Sequence, residues 1–139
     1  MNGTQILKSK PRKASYRKPE SVKQLERLAD EAARIKHPTM AHEHMAPRTF
    51  RDDSANSLTA CIVSYVTLKG GFASRINSQG TFSRKLNRYI HSTQKRGIAD
   101  VMGTYKSKSL MIEVKHGSDK MSTFQERVRA EQTRSGGMF

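Results

Sequence analysis

GIADVMGTYKSKSLMIEVKHGSDKMSTFQ, residues 97–125, is the stretch whose reading decides the fold. Residues 98–105 and 109–115 read as two strands around a turn near Lys106-Ser107-Lys108. In the second, Leu110, Ile112 and Val114 alternate with Met111, Glu113 and Lys115, the period-two pattern of a strand with one buried face. The aliphatic set predicts a core face, and the other set carries an acid and a base together. On the first strand Ala99, Val101 and Gly103 are expected to face the core, leaving Asp100 with the charged residues. Register decides whether the groups meet, because a one-residue slip sends every side chain to the other face. A turn with an even number of residues places Asp100 opposite Glu113 or Lys115, and that register is expected.

Two carboxylates beside one lysine suit phosphate chemistry. Mg²⁺ prefers oxygen ligands and keeps several of its waters, so Asp100, Glu113 and the backbone carbonyl of Val114 suffice as a candidate ligand set. A metal held there polarises a phosphodiester and lowers the pKa of a bound water. Lys115 is placed to orient that water or to neutralise charge developing on the phosphorane. The same spacing also fits an exposed strand face with a surface ion pair, which contributes little.

After the strands, Ser122-Thr123-Phe124-Gln125 opens a helix expected to run to about residue 133. Ser122 and Gln125 have the spacing of a capping box, in which the glutamine returns to the cap backbone. From spacing alone this cap accounts for Gln125; the alternative is an amide reaching back to the metal-bound water or phosphate.

Upstream, Val22, Leu25, Leu28, Ala29, Ala32 and Ile35 recur at helical spacing over residues 20–36, with Ser21 available as an N-cap and Pro38 as the stop. His37, His42 and His44 follow between Pro38 and Pro47; with no accompanying cysteine and no closed-site spacing, they read as loop residues. Asp53 or Ser54 can cap a second helix over residues 55–69, with Leu58, Cys61, Ile62, Tyr65 and Leu68 on its apolar face and Gly70-Gly71 at its end. Residues 72–76 read as a short strand, followed by a turn at Asn77-Ser78-Gln79-Gly80. Residues 81–96 are basic and poorly patterned, and read as a flexible connection that orders on binding. Arg84, Lys85, Arg88, Lys95 and Arg96 lie there among Phe82, Tyr89 and His91, a mixture able to grip a backbone and stack on an unpaired base. With Arg75 they form the expected nucleic-acid-binding set. The organisation expected is a basic disordered arm over residues 1–18, a helix and loop over 19–52, and a core domain over 53–139.

The 26 Lys and Arg against 12 Asp and Glu give a formal charge of +14. That excess predicts an anionic partner: nucleic acid first, an acidic membrane surface second. On charge alone a ribosomal or nucleoid protein that merely coats phosphates is the favoured reading. Mean hydropathy is −0.74 and only 35% of residues are hydrophobic, so the core must be small. No apolar run approaches the ~20 residues of a membrane span, and the N-terminal MNGTQILKSKPRK lacks the apolar stretch of a signal peptide. The single cysteine, Cys61, excludes an intramolecular disulfide and suits a reducing compartment. Beside Ile62 and Val63 it reads as a buried, inert thiol. A cytoplasmic protein is expected.

GIADVMG, MIEVKHGSDKMSTFQ and the SGG at residues 135–137 together resemble the PD-(D/E)xK nuclease superfamily, nearest its VRR-NUC and Holliday-junction-resolvase-like branch. ANSLTACIVSYVTLKGGFASRINSQG resembles the helix and strand that precede that core. The likeness spans roughly residues 53–137. It implies an α/β fold with a small central mixed β-sheet flanked by helices, a restriction-endonuclease-like core. It implies Asp100 and Glu113 as metal ligands, Lys115 as the catalytic lysine and Gln125 as an active-site residue. The expected activity is Mg²⁺- or Mn²⁺-dependent hydrolysis of DNA, with branched DNA as substrate and a homodimer as the assembly. The alternative is a catalytically impaired relative that binds nucleic acid without cutting it. Two departures stand out. Asn56 occupies the place where such proteins carry a supporting acid, and the strand that usually follows the Gly-Gly turn is missing after Phe139.

Overall fold

The computed structural model describes residues 15–139, in the order helix, helix, strand, hairpin, hairpin, helix. Helix α1, Glu20–Lys36, buries Val22, Leu25 and Ala29 and leaves Ile35 exposed. Its N-cap is Pro19 rather than the expected Ser21, which is already inside the first turn. Proline has a fixed φ suited to helix entry, and Glu20 lies favourably at the positive end of the helix. The segment after α1 returns along it: the Arg48 N–H donates to Asp30 (2.7 Å) and the Phe50 N–H to Glu26 (2.8 Å), which also pairs with Lys18. Of the expected basic arm, residues 1–14 lie outside the described residues. At its end Tyr16 donates to Asp52 at 2.7 Å and lies under the Arg51 guanidinium.

Helix α2, Ala55–Leu68, starts at Ser54, whose side chain accepts from the Ser57 N–H. It ends where Gly70 turns left-handed at φ 82°. Thr59 and Cys61 are buried beneath it. The Cys61 thiol donates to the Arg51 carbonyl, and burial raises its pKa, away from thiolate chemistry.

Strand β1, Phe72–Arg75, pairs antiparallel with the later Val101–Tyr105, labelled β4 below. Between them, strands β2, Thr81–Ser83, and β3, Arg88–Ile90, form a separate two-stranded hairpin. The connection read as flexible is therefore partly ordered. Each strand has only three residues, and Asn87 at φ 48° makes the turn, so no periodicity is long enough to read.

Strand β4 pairs with β5, Lys108–Ile112, through a turn whose central residues Lys106 and Ser107 both have positive φ, 47° and 62°. This two-residue turn matches the twist of the paired strands. Register runs from Tyr105 opposite Lys108 to Val101 opposite Ile112. Val101, Leu110 and Val114 are buried, as is Ala99, so the alternation read along this stretch marks the core.

The sheet order is β1-β4-β5, all antiparallel. Helix α2 packs on β1 and β4, with α1 against α2. Helix α3, Thr123–Arg134, follows β5 and buries Val128. Beyond α3 the chain turns back: Met138 donates to the Ser109 carbonyl and accepts from the Met111 N–H, both at 2.9 Å, forming a parallel bridge at Leu110. A single parallel bridge thus lies against β5 where a further strand was expected to be missing. Close approach at Gly137 permits it, since a Cβ there meets the Gln132 amide and Ser109 Oγ at 2.2 and 2.5 Å. The fold is a small α/β core. Among the described residues no helix is long and apolar enough to cross a membrane.

Candidate active site

Where β4 and β5 stop pairing, the side chain of Asp100 takes over from the ladder. Its Oδ2 accepts the Val114 N–H at 2.8 Å, while its own carbonyl accepts the Ile76 N–H, also at 2.8 Å. The carboxylate is thereby fixed to the segment that carries Glu113 and Lys115. Counting one residue past the last pair, Val101–Ile112, sets Asp100 level with Glu113, in keeping with the even register expected. The regular strands are shorter than expected, ending at Val101 and Ile112 because Asp100 occupies the next backbone donor.

Glu113 is the most enclosed acid of the cluster, its side chain only 7% exposed. Oε1 accepts from Lys115 Nζ at 2.9 Å and from the Gln125 amide. Oε2 is buried with no hydrogen-bond partner. Burial pushes the Glu113 pKa up, the Lys115 hydrogen bond opposes it, and the negative charge of Asp100 raises it further. That last effect is the repulsion between two neighbouring carboxylates.

Gln125 closes the cap expected of it and also reaches Lys115 and Glu113. Its Oε1 accepts the Ser122 N–H at 2.8 Å and Lys115 Nζ at 3.1 Å, and its Nε2 donates to Glu113. The Gln125 N–H in turn donates to Ser122 Oγ, completing the capping box of α3. The cap fixes the amide that holds Lys115 and Glu113 together. Gly97, at φ 83°, lies directly against the first turn of α3. The glycine that opens the GIAD segment is therefore the contact seating α3 beside the acids.

The donor set fits a hard divalent cation: two carboxylates on one side and a buried oxygen lacking a donor. The carbonyl of Val114, whose N–H is bound to Asp100, adds a candidate backbone oxygen. No group of three or more His, Cys, Asp and Glu side chains is assembled among the described residues. Any such cation would keep several waters, as Mg²⁺ does. His42 and His44 sit on an exposed one-turn helix, with His37 exposed before it.

Asn56 is engaged elsewhere, its Oδ1 accepting from Arg75 at 2.6 Å, so it steadies a guanidinium at the end of β1. The basic residues divide in two. Arg84, Lys85 and Arg88 are exposed on the β2–β3 hairpin. Lys95 pairs with Glu131, and Arg96 stacks on the Phe124 ring at 3.8 Å. Sequence reasoning overlooked Gly97 and Phe124 as positioning residues; the signal for Gly97 was a glycine just ahead of the acid-bearing strand.

Glu113 gives a prediction that needs no ligand. A carboxylate with a raised pKa stabilises the folded state most at low pH, and that stability is lost as pH rises through the folded pKa. Glu113→Gln removes the ionisation while keeping oxygen and shape. At pH 8 without metal the variant should melt about 3–5 °C higher, on the order of 1 kcal/mol, with the gap closing toward pH 4. Scanning calorimetry across that range decides it, and an unchanged or lower melting temperature at pH 8 counts against the buried charge.

No protein-family model, curated protein or solved structure matches this chain.

Proposed function

We propose that this protein is a divalent-metal-dependent DNA endonuclease of the cytoplasm, acting on branched or structured DNA. The observation that carries the reading is Glu113: a buried carboxylate oxygen with no donor, beside Asp100 and linked through Lys115 to Gln125. Leaving that oxygen buried and unpaired is costly, and a bound cation would offset the cost. Asp100, Glu113 and the Val114 carbonyl would hold Mg²⁺ or Mn²⁺, which when bound supplies Lewis-acid activation of water and phosphate.

The chain's own residues do the rest. Asp100, fixed by the Val114 N–H, keeps one oxygen committed to the backbone and the other free of that bond. Lys115 places its ammonium beside Glu113, where it opposes negative charge gathering on a phosphate in the transition state. Gln125 restrains that ammonium with its carbonyl oxygen. The +14 charge and the exposed Arg84, Lys85 and Arg88 supply sequence-independent grip on the backbone.

A second reading, a binder that does not cut, is favoured by one feature: among the described residues no third acid joins the pair, with Asn56 turned to Arg75. Labelled flaps, four-way junctions and plain duplexes, incubated with Mg²⁺, Mn²⁺ or EDTA, separate the two. Cleavage of branched substrates with either metal and none with EDTA is expected. Intact DNA under every condition, from a folded sample that binds it, leaves the binding reading in place.

A further inference from the structure

Beside the acidic cluster, and sharing Gln125 with it, lies a half-open cavity of about 700 Å³ between the β2–β3 hairpin and the start of α3. We infer that this cavity receives one unstacked nucleotide of the DNA, next to the phosphate that is cut. The inference rests on the nuclease reading for its position relative to that phosphate, and on the cavity itself for its ligand.

The walls are what a nucleobase needs. Tyr89 forms one side with its ring about half exposed. That ring is held against Gly80, where an added Cβ would lie 2.6 Å from it, and meets the His91 ring edge-on at 5.3 Å. Phe124 also lines the cavity, with the Arg96 guanidinium stacked on its ring at 3.8 Å. The half-exposed Tyr89 ring and the guanidinium stacked on Phe124 are flat surfaces on which any base can stack. Gln79 and Gln94 at the lining bring amides for a base edge, while Lys95, paired with Glu131, and Arg96, stacked on Phe124, add positive charge to the rim.

Size and shape favour a single nucleotide over a helix. The volume lies in the range of small-ligand sites, too small for a duplex to enter. A base inside a duplex reaches it only by leaving its stack, and the cost is least for a base already unpaired. A preference for branched or gapped DNA follows from this cavity without any contact to base-paired sequence. The hairpin's position agrees: a two-stranded ribbon is marginal alone, and its Phe82, Leu86, Tyr89 and Ile90 remain about half exposed.

The test is equilibrium binding of the full chain, in Ca²⁺, to flap oligonucleotides in which one nucleotide at a time around the branch is made abasic. For the wild type, one position should weaken binding roughly tenfold and the others little, as expected for one stacked base. Tyr89→Ala should bind the intact flap roughly tenfold more weakly and lose the positional dependence; Tyr89→Phe should restore both. If Tyr89→Ala melts early, Tyr89→Leu, which covers the wall without a stacking ring, carries the same comparison. A flat abasic profile for the wild type, an unchanged profile for the alanine or leucine variant, or no binding to any flap overturns the pocket. Binding is the readout, so the two readings fail separately. A positional dependence without cleavage keeps the pocket and removes the nuclease; cleavage with a flat profile does the reverse.

Discussion

Lys115→Ala should leave DNA bound and uncut. Single-turnover cleavage of a labelled flap in Mg²⁺ is expected to fall by about 10³-fold, the scale of losing one charged group that acts on the transition state. Affinity in a gel shift should change by no more than about threefold, because one of 26 basic residues is lost from a diffuse field. The reason lies in the bonding of Lys115: its Nζ is held by Glu113 at 2.9 Å and by Gln125 at 3.1 Å, so its charge is fixed in place. Its hydrogen bond also holds down the pKa of Glu113. Any residual activity should therefore need a higher pH than the wild type. Arginine should not rescue, since its planar fork cannot replace a compact ammonium between two acceptors. Wild-type cleavage by the alanine variant would remove Lys115 from the chemistry.

Gly97→Ala should be strongly destabilising, because the site combines a left-handed φ with a close backbone contact. A Cβ at residue 97 would stand 2.5 Å from the carbonyl carbon and oxygen of Phe124 and 2.8 Å from the Gln125 nitrogen. Those are backbone atoms of a capped helix turn and cannot swing aside. The residue also sits at φ 83°, where a side chain costs roughly 1–2 kcal/mol. Adding an overpacking cost of about 1–3 kcal/mol, the variant should melt about 10 °C lower. Gly136→Ala is the control: its φ is 84° but open space surrounds it, so only the conformational cost applies. Equal melting temperatures for the two variants would show that the contact with α3 is not what holds the element.

The central hairpin was legible because burial imposes strict alternation. Leu110 and Val114 point inward with Val101 and Ala99, and Asp100 and Glu113 follow from parity once the turn has two residues. Helix α2 was legible from Ser54 and Gly70, residues whose backbone roles are chemically narrow. The β2–β3 hairpin was not, because three-residue strands of mostly exposed side chains carry no face to read. The return of Met138 to Ser109 and Met111 was hidden for a different reason: one bridge is a tertiary contact with no local pattern. In the candidate site, residue identities could be read from the chain. The unpaired Oε2 of Glu113 and the Tyr89–Phe124 cavity could not, since both arise from elements that only folding brings together.

Asp100 ends the β4–β5 ladder with its own side chain, and this makes it a poor choice for the usual inactivating substitution. Alanine there would strip the Val114 N–H of its acceptor, unfastening the segment that presents Glu113 and Lys115. A dead Asp100→Ala protein would report a loosened scaffold as readily as lost chemistry. Asparagine keeps an oxygen for Val114 and discards only the charge, so it isolates the electrostatic part. The residue most exposed to misreading is the one whose carboxylate is both fastener and proposed metal ligand.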